Sequence, residues 1–184
     1  MNVICYGDSN TYGYDPRSYF GDRYESPWPE LLCDMTGWRI CNQGENGLEI
    51  PGDVVAFPRY ADLLIIMLGT NDLLQSRSPK EIEDRMLNFL SKLAISKEKI
   101  LLISPPPMVL GEWVQDKALL LKGSDSLEAI YRAISQRLDI RFVCTRTWDI
   151  PIAYDGVHMT QEGHRVFAER LFDYLKGLEL QNSE

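Results

Sequence analysis

A serine near the start of the chain is the first candidate for chemistry. Ser9 lies in the stretch GDSNTYG (residues 7–13), a run of small and polar residues directly after an apolar segment. A serine hydroxyl is a weak nucleophile at its own pKa, so it needs an adjacent base, usually an imidazole that a third group orients. Taken alone, the stretch is more typical of a turn or a helix cap, where Ser, Asp and Asn are common.

The chain has two histidines that could serve as this base. His158 lies in DGVHMT (residues 155–160), a glycine-containing loop before the last predicted helix, with Asp155 three residues ahead of it. In a turn, this spacing can bring the carboxylate beside the imidazole, where it orients the ring and stabilises the imidazolium. A loop histidine with ordinary hydrogen bonds is the alternative. His164 has no such acid and is expected to be a partly exposed histidine of the helix.

Two further segments could supply the hydrogen-bond donors that an oxyanion needs during acyl transfer. The segment NQGENG (residues 42–47) follows the second apolar run, and GTND (residues 69–72) follows the third. Glycine lets a backbone N–H approach a ligand closely, and an asparagine side chain adds an uncharged NH₂ donor. Each segment alone is also a good turn sequence.

The elements that must position these residues alternate along the chain. Short apolar runs rich in Ile, Leu and Val predict strands buried on both faces, over residues 2–6, 39–42, 61–68, 99–104 and 140–144. Amphipathic patterns predict helices over residues 29–35, 79–95, 126–138 and 162–178. This alternation predicts one α/β domain over residues 1–184, with three α/β/α layers and a mostly parallel five-stranded sheet, as in flavodoxin-like folds. Ligands bind beyond the carboxyl ends of such strands.

One stretch fits no element. Residues 105–123 open with three prolines, which disfavour both a helix and a central strand, so a loop or short-helix excursion over the sheet is expected. Its apolar residues, among them Met108, Leu110 and Trp113, are compatible with a lid, an interface or ordinary packing.

Composition narrows the classes of partner. A net charge of −8 and a pI near 4.8 disfavour nucleic acid and anionic membranes, so a small neutral molecule is the expected partner. No apolar run is long enough to span a bilayer and no charged leader precedes the first strand, which predicts a cytoplasmic protein. Four cysteines without CxxC or zinc-finger spacing predict reduced, buried thiols and no metal.

The four segments, in this order, resemble the SGNH hydrolase family of GDSL-like esterases. The GDS block of that family matches residues 7–9, and its block of an Asn followed five residues later by a Gly matches Asn42 and Gly47. The GxND block matches residues 69–72, and the DxxH block matches residues 155–158. The resemblance covers nearly the whole chain. It is closest to the short-chain arylesterase and acyltransferase branch, where GDSNTxGYDP and LGTND occur much as they stand here.

The resemblance implies an esterase that needs no cofactor and acts through an acyl-enzyme on short-chain, acetyl-type esters of small alcohols, aryl groups or sugars. It assigns the roles as follows: Ser9 is the nucleophile, His158 the base and Asp155 its partner, and the oxyanion hole is formed by the N–H groups of Ser9 and Gly47 and the Asn71 amide. The pocket-wall candidates are Tyr12, Tyr14 and Trp28, although each is also compatible with a core aromatic.

The sequence departs from that branch in one segment. Only residues 48–60 separate Gly47 from the third strand, where those relatives usually carry a longer insertion. Pocket shape, acyl preference and the contacts of a possible homo-oligomer are therefore not carried over.

A flavodoxin-like binding module is the alternative. In it, residues 9–13 would cradle the phosphate of FMN with backbone N–H groups after the first strand. This alternative leaves Asn71 and the pair of Asp155 and His158 without a role.

Overall fold

The central sheet of the protein has five parallel strands. The computed structural model describes residues 1–181 and places the strands at β1 (Asn2–Gly7), β2 (Arg39–Gly44), β3 (Leu63–Met67), β4 (Ile100–Ile103) and β5 (Arg141–Val143). Their order across the sheet is β2-β1-β3-β4-β5, and every neighbouring pair is parallel. The five predicted strands are confirmed, each with ends within two residues of those expected.

Helices cover both faces of this sheet. They are α1 (Ser9–Tyr12), α2 (Trp28–Thr36), α3 (Thr70–Leu74), α4 (Pro79–Ser91), α5 (Lys117–Leu138) and α6 (Gln161–Gln181). One core contains buried residues of α3, α4 and α5, including Leu73, Met86 and Leu127. The other contains buried residues of α2 and α6, including Leu32 and Phe167. The expected three-layer α/β/α arrangement is therefore confirmed.

The start of helix α4 is determined by its local sequence. Ser78 caps its first turn by accepting from the backbone N–H of Glu81, and the Glu81 carboxylate accepts from the Ser78 N–H in return. Pro79 occupies the first helical position, where a missing N–H costs no intrahelical bond. The helix ends at Ser91, four residues before the predicted end.

The excursion after β4 is shorter than predicted. Helix α5 begins at Lys117, so residues 117–123 are helical and the prediction of a helix starting at residue 126 is wrong. Met108 and Leu110 are buried in the core between the sheet and α5, which is ordinary packing. Trp113 instead is 76% exposed.

The chain end and the cysteines complete the comparison with the predicted fold. The three last residues of the predicted domain, 182–184, lie outside the described part of the chain. Among residues 1–181, no helix combines the length and the apolar character that a membrane crossing requires. All four cysteines are free, but only Cys5 is buried and Cys41 is exposed, so the expectation of buried thiols is wrong for Cys41.

Candidate active site

Ser9 is the first residue of a short helix that follows β1. Asp8 caps this helix: its Oδ1 accepts from the Asn10 N–H at 3.0 Å, and its backbone oxygen accepts from the N–H groups of Thr11 and Tyr12. The cap fixes the turn that carries the serine at the carboxyl end of the strand. The Asp8 side chain is fully buried, and burial raises its pKa to about 6 against the opposing effects of the Asn10 N–H and of His158.

The structure brings Ser9, His158 and Asp155 into one hydrogen-bonded chain. The Oγ of Ser9 lies 2.9 Å from Nε2 of His158, and Nδ1 of His158 lies 2.6 Å from Oδ2 of Asp155. With a proton on Nδ1 donated to the carboxylate, Nε2 carries the lone pair and accepts from the serine hydroxyl. This is the tautomer that a general base for Ser9 requires.

Asp155 stays ionised at neutral pH. Partial burial raises the pKa of its carboxyl, but hydrogen bonds from the His158 ring and from the backbone N–H groups of Val157 and His158 outweigh burial and lower the pKa below its usual value. A carboxylate in this position orients the imidazole and stabilises its protonated form.

The end of β2 packs tightly against α1. The Asn42 side chain donates to the Thr11 carbonyl at 3.0 Å and accepts from the Gly44 N–H at 2.9 Å. A Cβ on Gly44 would overlap the backbone N and Cα of Tyr12, so only glycine permits this approach. Gly47 differs, since it is exposed in the following turn, has φ +76° and has open space around its Cβ position.

Three hydrogen-bond donors follow neighbouring strands at this edge of the sheet. The N–H groups of Ser9 and Gly47 donate to no other backbone or side-chain group within residues 1–181. The Asn71 Nδ2 donates one hydrogen to the Leu48 carbonyl at 3.1 Å, and its second hydrogen has no partner among the described residues. The three donors thus follow β1, β2 and β3, which are neighbours in the sheet.

A buried ionic group holds the segment that follows the Gly47 turn. The Asp72 carboxylate, which is fully buried, accepts from the Ile50 N–H at 2.9 Å and from Nε of Arg85 at 3.0 Å. Arg85 also donates to the Ile50 carbonyl, and Arg77 pairs with Glu49 at 2.5 Å. Sequence reasoning missed this group, because nothing in the pattern of α4 marks Arg85 as the partner of a residue in GTND.

The aromatic candidates occupy three different environments. The Tyr14 ring centroid lies 4.7 Å from that of His158, so Tyr14 borders the imidazole. Tyr12 is half-buried, with the Arg23 guanidinium 5.3 Å from its ring centre. Trp28 has no exposed surface and packs against Phe167 in the core of α2 and α6. The expectation that Trp28 lines the pocket is therefore corrected.

The expectation that His164 is partly exposed is also corrected, because the residue is fully buried. Its Nδ1 accepts from the Trp28 N–H at 3.4 Å, on the face of α6 that packs against α2. Burial lowers the pKa of His164 to about 3, so the ring is neutral and belongs to the core.

Side chains that commonly bind metal ions do not cluster in the described part of the chain. Across residues 1–181, no cluster of three or more His, Cys, Asp or Glu side chains is arranged to hold a metal ion.

Known proteins similar to this chain share its fold. A carbohydrate acetylesterase family member from Sinorhizobium meliloti superposes with a TM-score of 0.76 at 24% identity, covering 96% of this chain and 97% of that one. The inhibitor-bound aryl esterase of M. smegmatis gives 0.77 at 20% identity, covering 97% and 99%. A member of the lipolytic G-D-S-L family from Veillonella parvula gives 0.68 at 22% identity, covering 94% and 97%.

Sequence comparison gives the family directly. No curated protein sequence matches the chain significantly. The pattern of the GDSL-like lipase/acylhydrolase family, however, matches residues 5–166, which include Ser9, Gly47, Asn71 and His158. A match over most of the length, together with the fold and the serine–histidine contact, identifies the chain as a member of the GDSL-like lipase/acylhydrolase family of SGNH-type hydrolases.

Proposed function

We propose that the protein is a serine esterase that cleaves short-chain, acetyl-type esters through an acyl-enzyme on Ser9. The observation that carries the proposal is the continuous contact from the Ser9 hydroxyl through His158 to the ionised Asp155. A flavodoxin-like binding module would give this contact no role.

The proposed cycle begins with attack of Ser9 Oγ on the ester carbonyl while Nε2 of His158 takes the hydroxyl proton. The carbonyl electron pair moves to oxygen, and the N–H groups of Ser9 and Gly47 and the Asn71 amide donate to this oxyanion. When the C=O bond re-forms, the bond to the alcohol breaks, and the Nε2 proton passes to the leaving oxygen.

The second half of the cycle repeats the same proton transfers with water. Nε2 removes a proton from water as its oxygen attacks the acyl carbon, and a second oxyanion forms in the same place. Collapse breaks the bond to Ser9 Oγ, which recovers its proton from His158, and the carboxylic acid leaves. Asp155 remains ionised throughout and compensates the positive charge on the imidazolium.

Two features support small esters with short acyl groups as substrates. The segment between Gly47 and β3 is short, which leaves little chain to wall a deep acyl tunnel. The structurally similar proteins from S. meliloti and M. smegmatis are described as a carbohydrate acetylesterase and an aryl esterase, so acetylated sugars and aryl acetates are the first compounds to assay. We also propose a cytoplasmic location, supported by four free thiols.

The nucleophile is tested by Ser9→Ala. We expect this variant to keep the fold and to lose more than about 99% of the turnover of p-nitrophenyl acetate, since the acyl-enzyme cannot form without the hydroxyl. Ser91→Ala is the matched control, because Ser91 is an exposed serine at the end of α4. Activity of Ser9→Ala within about tenfold of the parent, in protein free of contaminating esterase, would overturn the proposal.

Acyl length is tested with p-nitrophenyl esters from acetate to decanoate. Each methylene buried in a tunnel contributes about 0.8 kcal/mol, so a tunnel would raise kcat/KM severalfold per carbon. We expect acetate or propionate to be best and kcat/KM to fall beyond butyrate. A higher kcat/KM for octanoate than for acetate, below the micelle concentration, would instead indicate a deep acyl pocket. The excursion after β4, which carries the exposed Trp113, would then be the first candidate to line it.

A further inference from the structure

Both peptide groups that flank His158 form hydrogen bonds at their N–H and at their C=O. The N–H groups of Val157 and His158 donate to Asp155 Oδ1, and the His158 carbonyl accepts from the Ala153 N–H at 2.7 Å. Two groups remain, the Val157 carbonyl and the Met159 N–H, and they flank the histidine on either side.

Both remaining groups bond to a single side chain, that of Asn10. Its Nδ2 donates to the Val157 carbonyl at 3.1 Å, and its Oδ1 accepts from the Met159 N–H at 2.8 Å. The Asn10 residue is 2% exposed, so no water competes strongly for these bonds. An amide side chain is needed here because it presents one donor and one acceptor, whereas a carboxylate presents only acceptors and an alkyl group neither.

Asn10 is at the same time fixed to the nucleophile. It follows Ser9 in α1, and its own N–H donates to the cap residue Asp8 at 3.0 Å. The other hydrogen bonds of the loop backbone do not reach α1. Asp155 and Ala153 belong to the loop itself, and the Gly156 carbonyl accepts from the Val109 N–H at 2.8 Å. Asn10 therefore links the backbone of the base to the helix that carries the serine.

We propose that Asn10 is a positioning residue that sets the Ser9–His158 distance by holding both peptide groups beside the histidine; this rests on the proposed function. The residue touches neither the substrate nor a transferred proton. It acts through His158, so its contribution should exist only while the imidazole is present.

The test is a double-mutant cycle built on Asn10→Leu and His158→Ala. A misplaced base slows proton transfer without weakening substrate binding, so Asn10→Leu should lower kcat for p-nitrophenyl acetate about 10- to 100-fold and change KM less than about threefold. In the His158→Ala background, the same substitution should change the residual rate less than about threefold. Asn88→Leu, at an exposed asparagine of α4, is the matched control.

Each outcome decides the proposal. If Asn10→Leu keeps kcat within about threefold, or lowers the rate by the same factor with and without His158, the positioning role is wrong. Should circular dichroism show that Asn10→Leu is unfolded, Asn10→Asp is judged by the same criteria, because it keeps the size of the side chain and the acceptor for Met159. Failure of the esterase proposal is separate, because it would be seen in Ser9→Ala, as activity within about tenfold of the parent, whatever the Asn10 variants do.

Discussion

The Asn71 amide has two hydrogens with different partners. One bonds the Leu48 carbonyl and holds the side chain in place, and the other is free at the edge of the sheet where Ser9 lies. A donor fixed before the reaction begins stabilises the developing charge without reorganisation, which is why such donors contribute strongly to rate.

Replacing Asn71 should therefore affect the chemical step. We expect Asn71→Ala to lower kcat for p-nitrophenyl acetate about 10²- to 10³-fold, with a much smaller change in KM. Asn88→Ala, on the exposed face of α4, should behave as the parent enzyme. A loss seen mainly in KM would assign Asn71 to substrate binding in the ground state instead.

Residue types and spacing were sufficient to predict that Ser9, His158 and Asp155 lie in contact, because each belongs to a short motif of recognisable chemistry. They were insufficient for Trp28 and His164, whose burial is decided by the packing of α2 on α6. The role of Asn10 was not predicted, for a different reason. In sequence it is an ordinary turn residue, and its partners lie about 150 residues away in the chain.

At the scale of elements, the packing of β2 against α1 depends on one glycine. Alanine at position 44 would place Cβ on the Tyr12 backbone, and no rotamer change can relieve an overlap with backbone atoms. We expect Gly44→Ala to lower the free energy of unfolding by at least about 2 kcal/mol and to reduce kcat, because α1 must shift with Ser9 on it. Urea unfolding and p-nitrophenyl acetate kinetics measure both effects.

Gly47→Ala is the informative comparison. The alanine Cβ would meet open space, so the only cost of the substitution is the positive φ. We expect that cost to lower the free energy of unfolding by about 1 to 2 kcal/mol. The N–H remains, and kcat should change little. A larger loss of stability at Gly47 than at Gly44 would contradict this assignment of the two glycines.

The strands were predicted well because continuous apolar runs admit few other structures in a parallel sheet. The start of α5 was not, since Gly123 and Ser124 interrupt its apolar pattern and three prolines precede it. Gly123 is helical because α5 packs closely on Leu73 of α3, a contact that local propensity does not encode.

At the scale of the whole molecule, two buried groups make stability depend on pH in opposite directions. The pKa of Asp8 is about 6 in the folded protein against 3.8 for an exposed carboxyl, so folding binds a proton between these values and stability falls as pH rises through them. The pKa of His164 is about 3 against 6.5, so the unfolded chain binds the proton and stability falls as pH drops through that window.

Asp8→Asn isolates the contribution of Asp8 to the pH dependence of stability. The amide can still cap α1 but does not ionise, so the variant should gain stability relative to the parent as pH rises from 4 to 7, by on the order of 2 to 3 kcal/mol. Urea unfolding at pH 4, 5.5 and 7 measures the difference. Asp173→Asn, at an exposed position of α6, is the control. A difference that stays constant across this range would show that the pKa of Asp8 is the same in the folded and the unfolded protein.

The distance along the chain between Ser9 and His158 has a consequence for biosynthesis. The two residues are separated by 149 positions, and the contact that joins them closes one of the longest loops in the protein. A growing polypeptide therefore carries Ser9 out of the ribosome long before the imidazole that the proposed cycle requires. With Ser9 and His158 in their proposed roles, we expect the nascent chain to stay inert toward esters until the loop of His158 reaches α1. Onset of hydrolysis during refolding would then report the formation of this long-range contact.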